Sequence, residues 1–536
     1  MPLSRLFSFH GGVKPPYHKA DSCVRPIALA PLPQELVIPL HQSIGGPPRP
    51  LVRAGEPVLA GQMIGGPDGT FSSAVHASTS GRVVAVEPRL MPHPSGLTAL
   101  CVVIAPDGED QWIDSSPPPW TSLAPHQVRD LLCACGIVGL GGAVFPSHLK
   151  VTTKTGDQGL DTLIINGAEC EPYITCDDMQ MREHAPGIIA GASILATLTR
   201  ARRTFVAIED NKPQALSAMR QALQCAAANP DCPSIDIVAI PTRYPAGGAK
   251  QLMRVLTGIE VPHGQRSTEY GLQCFNTGTA YAVHDALEKG RPMVSRVVTV
   301  AGNVRQPGNF WARLGTPMRD LIAWAGGAYP DSERIIMGGP MMGVVMPNEC
   351  VPVVKATNCI LVASKKLFPP PPPEMPCIRC GQCALACPAD LQPFDMYWYA
   401  HAKLYGKAQE YHLFDCIECG CCAYVCPSNI PLVDYYRHAK SEIWSREQTK
   451  AAADEARERY EFRLLREERD KAEKAARLAE KAAQARQTPV GAENQDAQAL
   501  IAAARARVMT TRTGEQPTGE QPFAPTLSST TSDRAS

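Results

Sequence analysis

Nine cysteines crowded into the stretch 377–426 constrain this chain more than any other feature. They read Cys377-Ile-Arg-Cys380-Gly-Gln-Cys383-Ala-Leu-Ala-Cys387-Pro388 and, after a spacer, Cys416-Ile-Glu-Cys419-Gly-Cys421-Cys422-Ala-Tyr-Val-Cys426-Pro427. This is the C-x2-C-x2-C-x3-C-P run written twice, the pattern for two [4Fe–4S] clusters. Three thiolates in one tight turn cap three corners of a cubane, and the fourth, one helical turn later, points away toward the other cluster. The spacing predicts one cluster on Cys377, Cys380, Cys383 and Cys426, and a second on Cys416, Cys419, Cys422 and Cys387. That exchange ties the two halves together and holds the clusters close enough for electron transfer. Structural zinc is the competing use of paired cysteines, but neither run has the usual pair-plus-pair form. Cys421 breaks no spacing rule and is read as a spare thiol beside the second cluster, with replacement of Cys422 as the alternative.

A length of 536 residues exceeds what one core supports, so three or more domains are expected. Lys+Arg and Asp+Glu stand at 52 each, and this balance gives no basic surplus for nucleic acid. The N-terminal Met1-Pro-Leu-Ser-Arg-Leu-Phe-Ser-Phe-His has too short an apolar part for a signal peptide. Fe–S clusters and scattered thiols fit a reducing cytosol. The most membrane-like stretch, 187–199, falls short of the ~20 apolar residues a bilayer requires and reads as a buried helix.

Residues 1–120 are Gly- and Pro-rich with short β-branched runs, an all-β reading. The cadence from Leu51 to Gly65 and from His76 to Glu87 resembles the flattened barrel of lipoyl and biotinyl domains. Those domains carry a modified lysine at a hairpin tip, but the matching region from Phe71 to Gly81 has no lysine, so docking or packing is expected instead. His10, His18 and His41 are widely spaced and read as surface or packing residues. Residues 125–290 alternate strand-length apolar runs (160–165, 204–208, 235–240) with helical segments, which predicts a largely parallel sheet. Within them lies Gly136-Ile-Val-Gly139-Leu-Gly141-Gly142-Ala-Val-Phe145-Pro146-Ser-His-Leu-Lys150. Such glycines let backbone N–H groups approach a phosphate or flat ring, with a lysine to balance charge. The loop follows a helical segment (126–135), unlike a dinucleotide fingerprint. Asn166-Gly-Ala-Glu169-Cys-Glu171-Pro172-Tyr173 comes directly off the next strand, where two carboxylates can face a cleft and accept hydrogen bonds from a ribose or carboxamide. Gly271-Leu-Gln-Cys-Phe275-Asn276-Thr-Gly278-Thr279 and Tyr244-Pro-Ala-Gly247-Gly248-Ala-Lys250 add two more glycine-punctuated turns.

In their order these motifs resemble the RnfC-type subunit of the Rnf/Rsx-type ion-translocating electron-transport complex, over residues 1 to about 445. More distantly they resemble the NADH- and flavin-binding subunit of respiratory complex I. The resemblance implies an FMN and NADH site on Gly139, Gly141, Gly142, Lys150, Asn166, Glu169 and Glu171. It also implies electron exchange between NADH and ferredoxin through FMN and two [4Fe–4S] clusters, coupled to Na⁺ or H⁺ movement. Integral membrane subunits, other Fe–S or flavin subunits and ferredoxin are the implied partners. The implied location is the cytoplasmic face of the bacterial inner membrane, held peripherally. The chain departs from the complex I loop at Leu140, Val144 and Ala168, where that family has arginine, glycine and aspartate.

The remaining organisation follows. Residues 294–365, with Gly302, Pro307-Gly308 and Gly338-Gly339-Pro340-Met341-Met342-Gly343, resemble the β-grasp module of the same families. Prolines 369–373 form a stiff spacer before a helical two-cluster domain at 374–440. A charged helix is expected at 441–488 and a disordered tail at 489–536, which includes the repeat Thr513-Gly-Glu-Gln-Pro517 and Thr518-Gly-Glu-Gln-Pro522. The expected fold is thus multidomain α+β: a lipoyl-like β-sandwich barrel, an α/β (Rossmann-like) flavin/NADH domain, a β-grasp module, a helical ferredoxin domain and a tail. Two alternatives stand beside this reading: a soluble NADH-dependent cobalamin reductase, and an Fe–S scaffold or relay with a vestigial nucleotide site.

Overall fold

Why the segments fold as they do follows from how each buries its apolar side. The structure, a computed structural model, describes residues 5–93, 95–151, 159–228, 232–262, 264–487 and 495–510. The chain divides into one compact unit ending at Trp444 and another starting at Ser445.

Alternating residues of Leu36–Pro39, Thr98–Pro106 and Gly81–Leu90 form an antiparallel sheet with Pro57–Val58, and Arg49–Pro50, Met63–Gly66 and Val75–His76 form a second. Their inward residues, among them Leu36, Ile38, Ile64, Val83, Val102 and Ile104, make one core. The strands of these two sheets begin at Leu36. Residues before Leu36 run as a strap over the other domains: Phe7 N–H bonds Val255 O (2.9 Å), Gly12 N–H bonds Ala386 O (2.9 Å) and Tyr17 O accepts from Tyr173 N–H (2.8 Å). Ala28–Leu29 pairs in parallel with Phe310 and Trp311 of a different sheet. The strap hugs its neighbours because Gly11, at φ +62°, has no side chain; a Cβ there would lie 2.5 Å from Cys387 O.

The second domain holds four parallel strands in the spatial order Ile235–Ile240, Arg203–Glu209, Thr162–Gly167, Leu272–Asn276. Helices cover both faces, so the strands read as continuous apolar runs. The apolar stretch at 187–199 is the buried helix Ala185–Thr199. It packs on Thr277–Glu288 through Gly191, where a Cβ would sit 1.8 Å from Ala280 O. Strand order reverses direction between Thr162–Gly167 and Leu272–Asn276, and α/β sheets bind ligands beside the C-terminal ends of the strands at such a position.

The third domain is a mixed sheet ordered Ala28–Leu29, Gly308–Arg313, Ser295–Gly302, Cys359–Ser364, Ser332–Met337, Val344–Val345, packed on the helix Met318–Trp324. The fourth is helical, as the patterning predicts, with Gln382–Ala386, Pro393–His401, Tyr405–Glu410 and Cys421–Tyr424. The helix Leu432–Gln487 starts inside this domain, where Leu432, Tyr436 and Ala439 are buried, so the charged stretch expected from 441 is the continuation of an element that begins earlier. In the second unit its described residues are nearly all exposed, and pairs such as Arg463–Glu467 (2.9 Å) lie four residues apart. Gln495–Thr510 is helical where composition predicts disorder, and the repeat at 513–522 lies outside the described residues. Among the described residues no helix is long and apolar enough to cross a membrane.

Candidate functional site

The two cysteine runs adopt one backbone twice. Arg379 and Glu418, each before the second cysteine, have φ of 54° and 57°; Gly381 and Gly420, each after it, have 77° and 79°. Asp390 and Asn429, three residues beyond the fourth cysteine, match at 53° and 52°. These left-handed residues curl each run so that its first three thiols converge, and the short helix that follows carries the fourth away. One cavity is lined by Cys387, Cys416, Cys419 and Cys422, with Ile417, Met396 and Tyr436. The other is lined by Cys377, Cys380, Cys383 and Cys426, with Ile378, Phe394 and Leu432. Each cavity thus holds three cysteines of one run and the fourth of the other. Four thiols around an apolar hole suit a [4Fe–4S] cubane and offer no other donor. Glu418 N–H and Leu391 N–H already reach Cys416 Sγ and Cys387 Sγ (both 3.4 Å), the kind of bond that tunes a cluster. Cys421 does not line the first cavity; it is buried behind it with Val13, Cys170 and Tyr244, its thiol beside that of Cys419.

The first quartet faces the α/β domain. Tyr244 donates its hydroxyl to Cys419 O (2.6 Å), and His10 Nδ1 lies 2.8 Å from Cys387 O. Lys440 reaches Cys416 O (2.7 Å) and Glu418 (2.8 Å). The second quartet is nearer solvent, with Cys380 exposed. His18 stacks on Tyr173 and His41 meets Gly45 O, so the three histidines are packing or surface groups.

The glycine loop closes on itself through Gly139 N–H to Phe145 O (2.8 Å), leaving Gly141, Gly142 and Ala143 exposed at its tip. Gly142 has φ +110° and open space where a Cβ would stand. Val144 keeps a left-handed φ of 43°, a conformation that glycine tolerates better, and its side chain packs on the core. The branched side chain therefore goes into the domain interior. Leu140 N–H bonds Thr279 Oγ1 (2.9 Å), which seats the loop on the start of the helix Thr277–Glu288. Asn276 caps that helix through Gly278 N–H (2.8 Å), and the buried Thr277 Oγ1 has no hydrogen-bond partner among the described residues. An exposed glycine loop seated on a helix N-terminus fits the phosphate of a flavin nucleotide, with the partnerless Thr277 hydroxyl buried in the first turn of that helix.

The other expected residues are distributed differently. Lys150 turns inward: its ammonium bonds Cys274 O (3.0 Å) over the Phe275 ring, and burial pushes its pKa down. Asn166 bridges Gly247 O (2.9 Å) and Ala168 N–H (3.1 Å). The Glu169 side chain, 3% exposed, accepts from Asp177 N–H (2.6 Å) and pairs with Lys19 (3.8 Å); burial raises its pKa against the pull of Lys19. Glu171 instead accepts from Met341 and Met342 N–H (2.7 and 3.0 Å), and burial raises its pKa too. The two carboxylates do not share an open cleft. Glu169 connects toward the loop through Asp177 and Asn276 (2.6 Å), and Glu171 joins the third domain. Both are held because buried carboxylates need N–H donors, and helix and turn starts supply them. Sequence reading passed over Asn276 and Thr277, although the turn that carries them is visible, and Lys19, which shows no local signal.

Four known domain families match the chain in order: an RnfC barrel sandwich hybrid domain (7–109), a Nuo51 FMN-binding domain (132–285), an SLBB domain (297–345) and a 4Fe–4S dicluster domain (376–430). Fold and site define a multidomain α+β protein that joins an FMN-binding domain to a [4Fe–4S] dicluster domain. The RnfC-type subunit of the ion-translocating oxidoreductase complex of Edwardsiella ictaluri is 44% identical over 503 residues, covering 93% of this chain and 61% of that one. Its counterpart from Yersinia pestis bv. Antiqua is 44% identical over 471 residues, 87% of this chain and 74% of that one. The chain belongs to this RnfC family of ion-translocating oxidoreductase complex subunits. It spans about three fifths of the length of the first of these relatives (61%). An NAD⁺-reducing [NiFe]-hydrogenase superposes at a TM-score of 0.42 and 19% identity, over 53% of this chain and 54% of that one, a likeness too loose to carry weight.

Proposed function

We propose that this chain is the electron-entry subunit of a membrane-bound complex that couples electron transfer between NADH and ferredoxin, or another low-potential acceptor, to ion translocation. The observation that carries the reading is the pair of cavities, each lined by a complete cysteine quartet, one of them against the flavin domain. A bound flavin exchanges two electrons with a nicotinamide and single electrons with a cubane, which makes it the natural converter between them. Cys377, Cys380, Cys383 and Cys426 would hold one cluster and Cys387, Cys416, Cys419 and Cys422 the other. Gly139, Gly141, Gly142, Asn276 and Thr277 would hold the flavin. Lys150 and Asn166 would steady the backbone behind the site through Cys274 O and Gly247 O, while Glu169 and Glu171 are held by N–H groups of Asp177 and Met341 away from it. The apolar walls at Ile417, Met396 and Phe394 keep water from the cysteine cavities, and Tyr244 and Lys440 orient positive dipole and charge toward the inner one. The strand order 235–240, 203–209, 162–167, 272–276 supports a Rossmann-like 125–290 domain, and the paired sheets support a lipoyl-like barrel. With no spanning helix among the described residues, ion movement falls to integral membrane partners, and this chain sits peripherally on the cytoplasmic face.

The test is an anaerobic NADH titration of purified protein whose iron, sulfide and flavin have been quantified, read by visible absorbance and low-temperature EPR. Flavin bleaching followed by reduced-cubane signals supports the reading. Two cubanes reducible by dithionite but not by NADH would instead leave an Fe–S relay fed by a partner.

A further inference from the structure

The glycine loop is held from outside its own domain by two buried cations of the third domain. Arg296, on the strand Ser295–Gly302 and 3% exposed, directs one guanidinium nitrogen to Leu140 O (3.4 Å) and another to Lys355 O. Lys355, 1% exposed, donates to Gly136 O (2.6 Å) and to Ala74 O (2.9 Å) of the barrel. Their side chains thus reach the loop's first residue and the residue just before its exposed tip. Removing two cations from water costs several kcal/mol each unless they gain strong partners; the carbonyls named here are neutral, and Arg296 also has the Cys176 thiol and the Asp177 carboxyl beside it. Burial accordingly pushes both pKa values down, Lys355 to about 7. A packed apolar side chain would hold these positions without that cost.

What the cations supply is orientation and field. In a trans peptide the carbonyl and the following N–H point in opposite directions. With Leu140 O turned toward Arg296, the Gly141 N–H is turned the other way, at the exposed tip. Thr279 fixes the peptide on the other side of Leu140 (2.9 Å). The Arg296 guanidinium behind the loop also favours an anion in front of it. Resting on the flavin reading above, we infer that Arg296 and Lys355 are positioning residues that clamp the flavin loop from the third domain and set its affinity for the flavin phosphate.

Full-length protein with both clusters loaded is compared with Arg296→Gln and Lys355→Met. Hydrogen–deuterium exchange over residues 136–146 without flavin, FMN affinity, cluster EPR and thermal melting are measured together. The expected result is exchange in this loop faster by about tenfold, with FMN affinity weaker by about tenfold, while cluster signals and exchange in the barrel away from Ala74 are unchanged. Loop exchange equal to wild type in both soluble variants overturns the inference, as does loosening spread evenly over the barrel. If a neutral variant yields no soluble protein, Arg296→Met and Lys355→Gln are read the same way, and unchanged loop exchange again overturns it. A wild-type chain that binds no FMN, with loops that still loosen in the variants, supports the clamp and overturns the flavin reading alone.

Discussion

Tyr244→Phe removes one oxygen from the joint between the flavin domain and the inner cysteine quartet. The ring is 1% exposed and its hydroxyl lies between Cys419 O, to which it donates at 2.6 Å, and the Glu171 carboxyl. Phenylalanine preserves the packing, so the change isolates the hydrogen bond. Its loss leaves a buried carbonyl unsatisfied and costs about 1–3 kcal/mol of stability. The redox effect is smaller. The hydroxyl aims its positive end at the backbone of a cluster ligand and so favours the more negative, reduced form. A bond with a net value of ~0.5–1.5 kcal/mol converts, at about 60 mV per ~1.4 kcal/mol for one electron, to at most roughly 20–60 mV. Potentiometric titration followed by EPR should therefore show the potential of the cluster on Cys387, Cys416, Cys419 and Cys422 falling by up to that amount, with the other cluster unmoved. An upward shift, or equal shifts in both clusters, would refute the reasoning.

Cys422→Ala should reduce iron from about eight to about four per chain, while Cys421→Ala keeps both clusters because its thiol lies outside the cavity; iron and sulfide analysis decides, and equal losses would reject the assignment. Lys440→Met removes a nearly buried charge that bonds Cys416 O at 2.7 Å. It should lower the same cluster's potential on the order of 60 mV, the equivalent of ~1.4 kcal/mol, and a rise would contradict the placement. His76 is buried beside Lys355, and burial with that charge depresses its pKa to about 3 from 6.5. Below 6.5 the unfolded chain binds a proton that the folded chain refuses until about 3, so stability falls as pH drops through that window, by up to ~1.4 kcal/mol per pH unit. Melting curves of His76→Leu should be flatter than wild type between pH 6.5 and 5, and parallel curves would exclude His76 as the source.

Much of the molecule is legible in short stretches. The strand Ile235–Ile240 and the helices Pro125–Ala134 and Pro213–Ala226 fall where periodicity puts them, to within two residues, because each buries a face set by its own pattern. The convergence of three cysteines in each run is equally local, being governed by left-handed residues inside the run. The fate of a polar residue is less legible. Glu169 and Glu171 stand two apart in sequence, yet one caps a helix and the other reaches a turn 170 residues away. Two carboxylates at a strand end look alike until it is known which N–H groups arrive beside them.

The sequence by itself determined the chemistry this chain can carry: cysteine spacing selects cubanes, glycines select a backbone-lined loop, and strand-length apolar runs select a parallel sheet. Tertiary structure alone decided who holds that loop and how the inner quartet meets the flavin domain. Arg296 acts on Leu140 across 156 positions, Lys355 on Gly136 across 219, and Tyr244 on Cys419 across 175. No local pattern encodes such pairs, because the burial that makes a lone arginine, lysine or tyrosine consequential exists only after four domains have closed around it.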